Sequence, residues 1–283
     1  MTRRTLFDTL LGAASQVYDP REARAVALLL AERLYGISRA QIAFEPYAIV
    51  ACDTDMLGGI LREIAAGRPA QYIVGYTEFC GLRIDVREGV LIPRPETEEL
   101  VEWMASEAGP GATIFDAGTG SGAIAIALAT RIADSHVHAM DISPAALETA
   151  AANARRNDAQ VRFTQGDIFD GKTWERWPPA TFDIIVSNPP YIPQAAAPTL
   201  HCNVARHEPP AALFVPNNDP LLFYRAIARA GHTLLKTGGL LFFEIYELFA
   251  PQMEALLEAE GYPDVMVRRD INGRERMIKA TKR

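Results

Sequence analysis

Asn188-Pro189-Pro190-Tyr191 follows directly on an apolar, β-prone run, Phe182–Ser187. This grouping suits one demanding piece of chemistry. A planar amide or aromatic amino nitrogen is a poor nucleophile, because its lone pair is delocalised. To accept a methyl group it must be held by acceptors on its hydrogens, with its face turned to the methyl carbon. Asn188 can supply a side-chain carbonyl for this, and Pro189 a main-chain one. The two prolines fix φ and bring no competing N–H, and Tyr191 can form a flat wall beside a planar group. The rate would come mainly from positioning for in-line displacement, which requires neither a metal ion nor a covalent nucleophile. The structural alternative is a Pro-rich turn after a strand.

A second grouping lies upstream. Gly118-Thr119-Gly120-Ser121-Gly122 separates a short apolar strand, Thr113–Asp116, from an Ala/Ile-rich helix. Glycines in such a turn let a ligand approach the backbone, and the helix start presents free N–H groups. Gly118, Gly120 and Ala123 also satisfy the dinucleotide fingerprint, with Asp141 near the place of its ribose-binding acid. Nicotinamide and S-adenosylmethionine readings both survive to this point. Asp116 tilts the choice, since a carboxylate just before the turn repels a pyrophosphate but suits a cationic methionine group. Asp141 can accept from ribose hydroxyls. Asp167 can accept from an adenine amino group, with Ile142, Ile168 and Phe169 as apolar neighbours. Any one of these acids alone could be a helix cap. Together they end three successive strands and so mark one edge of a sheet.

Those residues need a frame. From about residue 112 the chain alternates strand and helix: His136–Met140, a helix capped by Ser143-Pro144, Val161–Phe163, Phe182–Ser187, a helix from Leu221 to Leu235 stopped by Gly238-Gly239, then a strand from Leu240 to Ile245. A helix over Pro251–Glu260 and a hairpin around Asn272-Gly273 close it. The pattern predicts an α/β fold with a doubly wound, mostly parallel sheet. Residues 1–70 read instead as a bundle of short helices, with Gly36 as a stop and Ser38 and Asp53 or Thr54 as starts. Tyr72–Val74 and Leu82–Val86 read as β-prone, which makes 71–95 a hairpin or connector ahead of a catalytic domain over 96–283.

Composition narrows the function. The chain has 283 residues, 49% of them hydrophobic, with a net charge of -7. An acidic balance argues against a protein that works by coating nucleic-acid phosphates. No apolar stretch is long enough to span a bilayer, and Asp8 breaks any signal-like start. Three widely spaced cysteines argue against a disulfide framework and for a cytoplasmic setting. His201, Cys202 and His207 lack usual metal-ligand spacing, so no metal is expected. Trp174 and Trp177 read as partly buried loop aromatics rather than a base-stacking platform, and the basic C-terminus as a solvated hairpin.

Taken together, the motifs resemble the HemK/PrmC family, the peptide chain release factor glutamine N5-methyltransferases. The likeness runs through Gly67–Tyr72, Leu91–Glu98, Asp116–Gly122, Val186–Ile192, His207-Glu208-Pro209, Phe223-Tyr224-Arg225 and Asp270–Arg276. Asn-Pro-Pro-Tyr alone is shared with adenine amino-group methyltransferases, and the Arg-Pro-Glu-Thr-Glu segment is what narrows it. The resemblance implies a seven-stranded Rossmann-like methyltransferase fold, S-adenosylmethionine as cofactor, and methyl transfer to the Gln of the Gly-Gly-Gln motif in class I release factors. It implies a cofactor site over Asp116, Gly118, Thr119, Gly120, Ser121, Gly122, Asp141, Ile142, Asp167, Ile168 and Asn188, and a catalytic group of Asn188, Pro189, Pro190 and Tyr191. It also implies a docking role for the helical stretch and a monomeric enzyme with no direct nucleic-acid substrate. The chain departs from the family at Phe214–Pro220 and at Tyr246, where glycines are common. The competing readings are an adenine N6 or guanine N2 methyltransferase acting on nucleic acid, and an inactive module that only binds release factors.

Overall fold

The computed structural model describes residues 1–283. The chain forms two compact units, Met1–Tyr76 with His201–His207, and Thr77–Leu200 with Glu208–Arg283.

The first unit is helical, with α1 (Arg3–Ala14), α2 (Pro20–Tyr35), α3 (Arg39–Phe44), α4 (Thr54–Ala65) and α5 (Ala70–Val74). Its helix ends follow local chemistry. Asp19 accepts from the N–H groups of Arg21 and Glu22 to start α2, and Gly36 closes it at φ 66°. Ser38 and Gln41 cap α3 reciprocally, and Asp53 caps α4. Leu6, Leu10, Leu30 and Ile64 are fully buried in its core. His201 stacks on Tyr18 with ring centroids 5.2 Å apart, and His207 Nε2 donates to the Ala66 carbonyl at 3.1 Å. One expectation is corrected here. Tyr72-Ile73-Val74 is not a strand but the last turn of α5, which Gly75 ends at φ 86°. Burial of Ala70 and Tyr72 outweighs the β preference of three residues.

A two-stranded hairpin, β1 (Tyr76–Phe79) and β2 (Leu82–Asp85), belongs to the second unit from Thr77 on, and α6 (Pro95–Glu107), which has Pro95 at its first position, follows it. Next come β3 (Thr113–Ala117), α7 (Ala123–Arg131), β4 (His136–Asp141), α8 (Pro144–Arg156), β5 (Val161–Gln165), the short α9 (Gly171–Trp174) and β6 (Phe182–Ser187). A small excursion carries β7 (Ile192–Pro193), α10 (Cys202–His207, part of the first unit), α11 (Pro210–Leu213) and β8 (Phe214–Val215). The chain ends in α12 (Leu222–Leu234), β9 (Leu235–Glu244), α13 (Ala250–Ala259), β10 (Asp264–Arg269) and β11 (Glu275–Thr281). Seven strands form one sheet in the order β10-β11-β9-β6-β3-β4-β5. The pairs from β9 through β6, β3 and β4 to β5 are parallel, and β11 is antiparallel to both of its neighbours. The order reverses between β3 and β6, so the connections leaving their carboxyl ends run to opposite sides and leave a crevice, the usual ligand site of such sheets.

A second expectation is corrected at the far end of β9. Gly238-Gly239 does not lie between helix and strand. The strand already begins at Leu235, and the glycines sit inside it, where its register against β6 slips. Gly238 adopts φ 77° and its N–H donates to the Lys282 carbonyl at 2.8 Å, so the pair forms a bulge tied to the C-terminal strand. Trp174 and Trp177 pack on the sheet against Phe115, with centroids 5.6 and 4.8 Å away. In the C-terminal hairpin, Arg276 meets Glu247 and Asp270, and Lys279 meets Glu107.

Gly231 shows how tightly α12 is seated. A Cβ there would lie 2.5 Å from the Tyr262 hydroxyl, which donates to the Ala228 carbonyl at 2.7 Å. Alanine would gain about 1 kcal/mol in helix propensity, against about 1–3 kcal/mol for overpacking and a further loss for the displaced bond. Gly231→Ala is therefore expected to lower the unfolding free energy by about 1–3 kcal/mol in urea titrations. The loss should shrink in a Tyr262→Phe background. The same loss in both backgrounds would rule out this clash.

Candidate active site

The carboxyl ends of β3, β4, β5 and β6 surround a cavity of about 480 Å³. Of the residues that the motifs single out, Gly118, Thr119, Gly120, Ser121, Asp141, Ile142, Asp167, Ile168, Asn188, Pro189 and Pro190 line it. Asp116, Gly122 and Tyr191 are not among the residues that line it.

The glycine-rich turn takes two distinct roles. Gly118 and Gly120 adopt φ 75° and 56°, and the space where a Cβ would sit is open. A ligand can therefore come close to their main chain. Gly122 faces the interior instead. A Cβ there would lie 3.0 Å from Ala150 of α8 and from Ile126 of α7, so this glycine lets the two helices approach.

The turn is held by the residue expected to bind ribose. Asp141 Oδ2 accepts from Gly120 N–H at 2.8 Å, and Oδ1 accepts from Ser143 N–H at 2.9 Å. Burial pushes this carboxyl upward, and these backbone donors oppose the shift. Each oxygen retains a second lone pair, so Asp141 can orient the loop and still accept from a diol. Asp167 similarly accepts from Phe169 N–H at 2.9 Å. Phe169 lies 4.9 Å from Phe223 across the same cavity, and both line it.

Asp116 is fully buried. Thr119 donates to its Oδ2 at 2.6 Å. Its Oδ1 has no hydrogen-bond partner of good geometry, although the Ala125 N–H at the start of α7 is close enough to act on it. Burial pushes the carboxyl up to about 7, with the charge of Asp141 adding to the effect and the Thr119 hydroxyl opposing it. An under-satisfied acid behind the loop, open glycines in front and apolar Ile142 and Ile168 at the side fit a ligand with a cationic head and a flat base.

Asn188 follows β6, whose end is anchored by Ser187 Oγ donating to the Ala117 carbonyl at 2.6 Å. Asn188 Nδ2 donates to Thr97 Oγ1 at 3.4 Å, and the Thr97 hydroxyl donates to Glu244 Oε2 at 2.5 Å. The Tyr191 hydroxyl donates to Glu244 Oε1 at 3.1 Å, and its ring stacks on Tyr246 at 6.1 Å. Burial pushes the Tyr191 phenol upward, and the charge of Glu244 adds to that shift. Tyr191 therefore stays a neutral wall and donor.

Several further residues shape the site. Arg94 lines the cavity and donates to buried Glu208 at 2.6 Å, across 114 positions of sequence. Glu208 also accepts from Ile92 N–H at 3.3 Å. Asn153 of α8 bonds the main chain of Asp85 in both directions and donates to the Ser121 carbonyl at 2.9 Å. Gly166 is required by crowding, since a Cβ there would meet Thr173 and Met140 at 2.5 and 2.6 Å. Arg94 and Glu208 lie within the Leu91–Glu98 and His207-Glu208-Pro209 segments that carry the family likeness, and Gly166 directly precedes Asp167, whereas Asn153 carries no local signal.

The state of Asp116 sets a pH dependence. An unfolded Asp loses its proton near pH 4, whereas the folded protein keeps this one to about pH 7. The native state thus binds the extra proton between those values, and stability falls as pH rises through that window. In the ligand-free protein, Asp116→Asn is expected to remove this fall. The gap in thermal midpoint between variant and parent should widen from about pH 4 to about pH 7 and then level off. A gap independent of pH would contradict the assignment.

Known proteins resemble this chain closely. A methyltransferase small domain matches residues 95–205. The release factor glutamine methyltransferase of Bacteroides thetaiotaomicron is 41% identical over 267 residues, covering 94% of this chain and 95% of its own length. That of Flavobacterium psychrophilum is 36% identical over 278 residues, 94% of each chain. Among solved structures, a methyltransferase from Pyrococcus furiosus aligns with a TM-score of 0.53 at 19% identity, over 71% of this chain and 89% of its own, which bears on the fold alone. Matched from end to end by such relatives, the chain belongs to the release factor glutamine methyltransferase family.

Proposed function

We propose that this protein transfers a methyl group from S-adenosylmethionine to the side-chain amide nitrogen N5 of the Gln in the Gly-Gly-Gln motif of class I release factors. The observation that carries the reading is the meeting of two motifs in one cavity: the open Gly118–Ser121 turn with Asp141, and Asn188-Pro189-Pro190 at its edge. The relatives' name supplies the acceptor.

The donor supplies an electrophilic methyl carbon on a sulfonium centre. The chain supplies placement. Gly118 and Gly120 admit the donor to the main chain, and Asp141 accepts from its ribose. Asp167 and Ile168 receive the base, and Asp116 acts on the cationic end from behind the loop. Asn188 Oδ1 and the Pro189 carbonyl take the two hydrogens of the acceptor amide, which turns the face of its nitrogen to the methyl carbon. Tyr191 supports the planar group from behind. The amide nitrogen becomes acidic once alkylated, so its proton can leave without a strong base. Holding the reactants in line accounts for most of the rate.

The helical stretch over residues 1–70 would dock the body of the release factor, leaving the catalytic unit to take the Gln loop. Such a substrate places the enzyme in the cytoplasm, and nothing in this reading calls for a second copy of the chain. A net charge of -7 favours a protein loop over a polyanion.

Mass spectrometry of the release-factor Gln peptide, after incubation with enzyme and S-adenosylmethionine, should show one added methyl group. A release factor with that Gln replaced by Ala should remain unlabelled. Methyl label on nucleic acid and none on the release factor would favour the amino-group methyltransferase reading and overturn this one. Asn188→Ala should lower kcat by about 100-fold while retaining much of the cofactor affinity, read by calorimetry. Full turnover in that variant would remove Asn188 from the chemistry.

A further inference from the structure

We propose that Glu244 is a positioning residue that sets the orientation of the Asn188 amide through the Thr97 hydroxyl and holds Tyr191 through its phenol. The proposal rests on the reading above for what Asn188 does.

Glu244 ends β9 and is 1% exposed. The Tyr224 hydroxyl donates to its main-chain carbonyl at 3.0 Å, which pins the strand end. Burial raises the pKa of the carboxyl, while the hydroxyls of Thr97 and Tyr191 and the charge of Arg276 favour its ionised form. Both hydroxyls donate to it, Thr97 to Oε2 at 2.5 Å and Tyr191 to Oε1 at 3.1 Å. The Thr97 proton is thereby committed to Glu244 Oε2. The oxygen of Thr97 can then only accept from Asn188, and of the two arms of the amide only Nδ2 can donate. The carbonyl Oδ1 is left on the other arm, as an acceptor for the substrate's N–H.

This order matters because a carboxamide can be turned over with almost no change of shape. Reversed, Asn188 would present N–H to a substrate nitrogen that itself carries hydrogens, and donor would face donor. Glu244 removes that ambiguity from a distance of two hydrogen bonds. Its second oxygen fixes the phenol of Tyr191 at 3.1 Å, so one carboxylate sets both the acceptor and the wall.

Thr97 gives the cleanest test, because Val matches its shape without the hydroxyl and Ser restores the hydroxyl. In Thr97→Val, kcat on the release factor should fall about 10- to 100-fold. Cofactor Kd and release-factor KM should stay within about threefold, as for an interaction expressed only in the transition state. Thr97→Ser should recover most of kcat, and Glu244→Gln should behave like Thr97→Val. An unchanged kcat in Thr97→Val, or no recovery in Thr97→Ser, would overturn the proposal. So would equal losses in kcat and cofactor affinity, which would make Thr97 a cofactor ligand. A second readout needs no acceptor. The Asn188 side-chain amide protons, followed by nitrogen-15 NMR, should exchange faster in Thr97→Val than in the parent or Thr97→Ser. Equal exchange in all three overturns the proposal. If the parent fails to methylate the release factor while the exchange pattern holds, the functional reading fails and the positioning network stands.

Discussion

Removing a carboxylate from water costs several kcal/mol unless hydrogen-bond donors replace its hydration, and this protein does so repeatedly around one cavity. Asp116, Glu208 and Glu244 are nearly or fully buried. The site can be described as the set of donors that these acids require. Glu208 takes the Arg94 side chain and the Ile92 N–H, which fixes the segment ahead of α6. Glu244 takes two hydroxyls and thereby fixes the first turn of α6 and the residue after the Asn-Pro-Pro turn. Partly exposed Asp141 takes two main-chain N–H groups and so shapes the turns after β3 and β4. Asp116 is the exception, with one oxygen short of a partner, and it lies nearest to where a cationic ligand is read.

The acids work because the sheet delivers them. Parallel strands point their carboxyl ends the same way, so a residue ending one strand is brought beside residues ending the next, whatever their separation in sequence. Asp116 pairs in register with Ala139 and with Val186, on neighbouring strands from distant parts of the chain. Loops leaving those ends need only a few residues to close around a ligand. The C-terminal hairpin extends the sheet at one edge and α13 packs against it; neither lines the cavity.

Much of this fold is legible in the order of the amino acids. The strand–turn–helix units, the helix caps at Ser38, Asp53 and Ser143, and the Asn272-Gly273 hairpin all depend on neighbours in sequence, and local patterns report local chemistry. Tyr72–Val74 misleads because three β-prone residues count for less than the burial of one aromatic ring in a helical unit. Gly238-Gly239 misleads because a double glycine marks a helix stop and a strand bulge alike. Residues that act through long-range partners lie beyond the reach of local patterns. Thr97 and Glu244 are 147 positions apart; Thr97 belongs to the Arg-Pro-Glu-Thr-Glu segment, but its pairing with Glu244 shows only once the fold brings the two together. The segment His201–His207 belongs with the helical unit for the same reason, through a ring stacked on Tyr18.

Asn153 carries an obligation of a different kind. One buried amide joins the β1–β2 hairpin to the Gly118–Gly122 turn, giving two protons to the carbonyls of Asp85 and Ser121 and taking one from Asp85 N–H. Deamidation, the spontaneous hydrolysis that slowly ages asparagines, would leave a carboxylate at that point. The oxygen in place of Nδ2 would then face two carbonyl oxygens with no proton between them. The working life of the Gly118–Gly122 turn is therefore bound to the chemical durability of a single carbon–nitrogen bond outside the cavity that the turn lines.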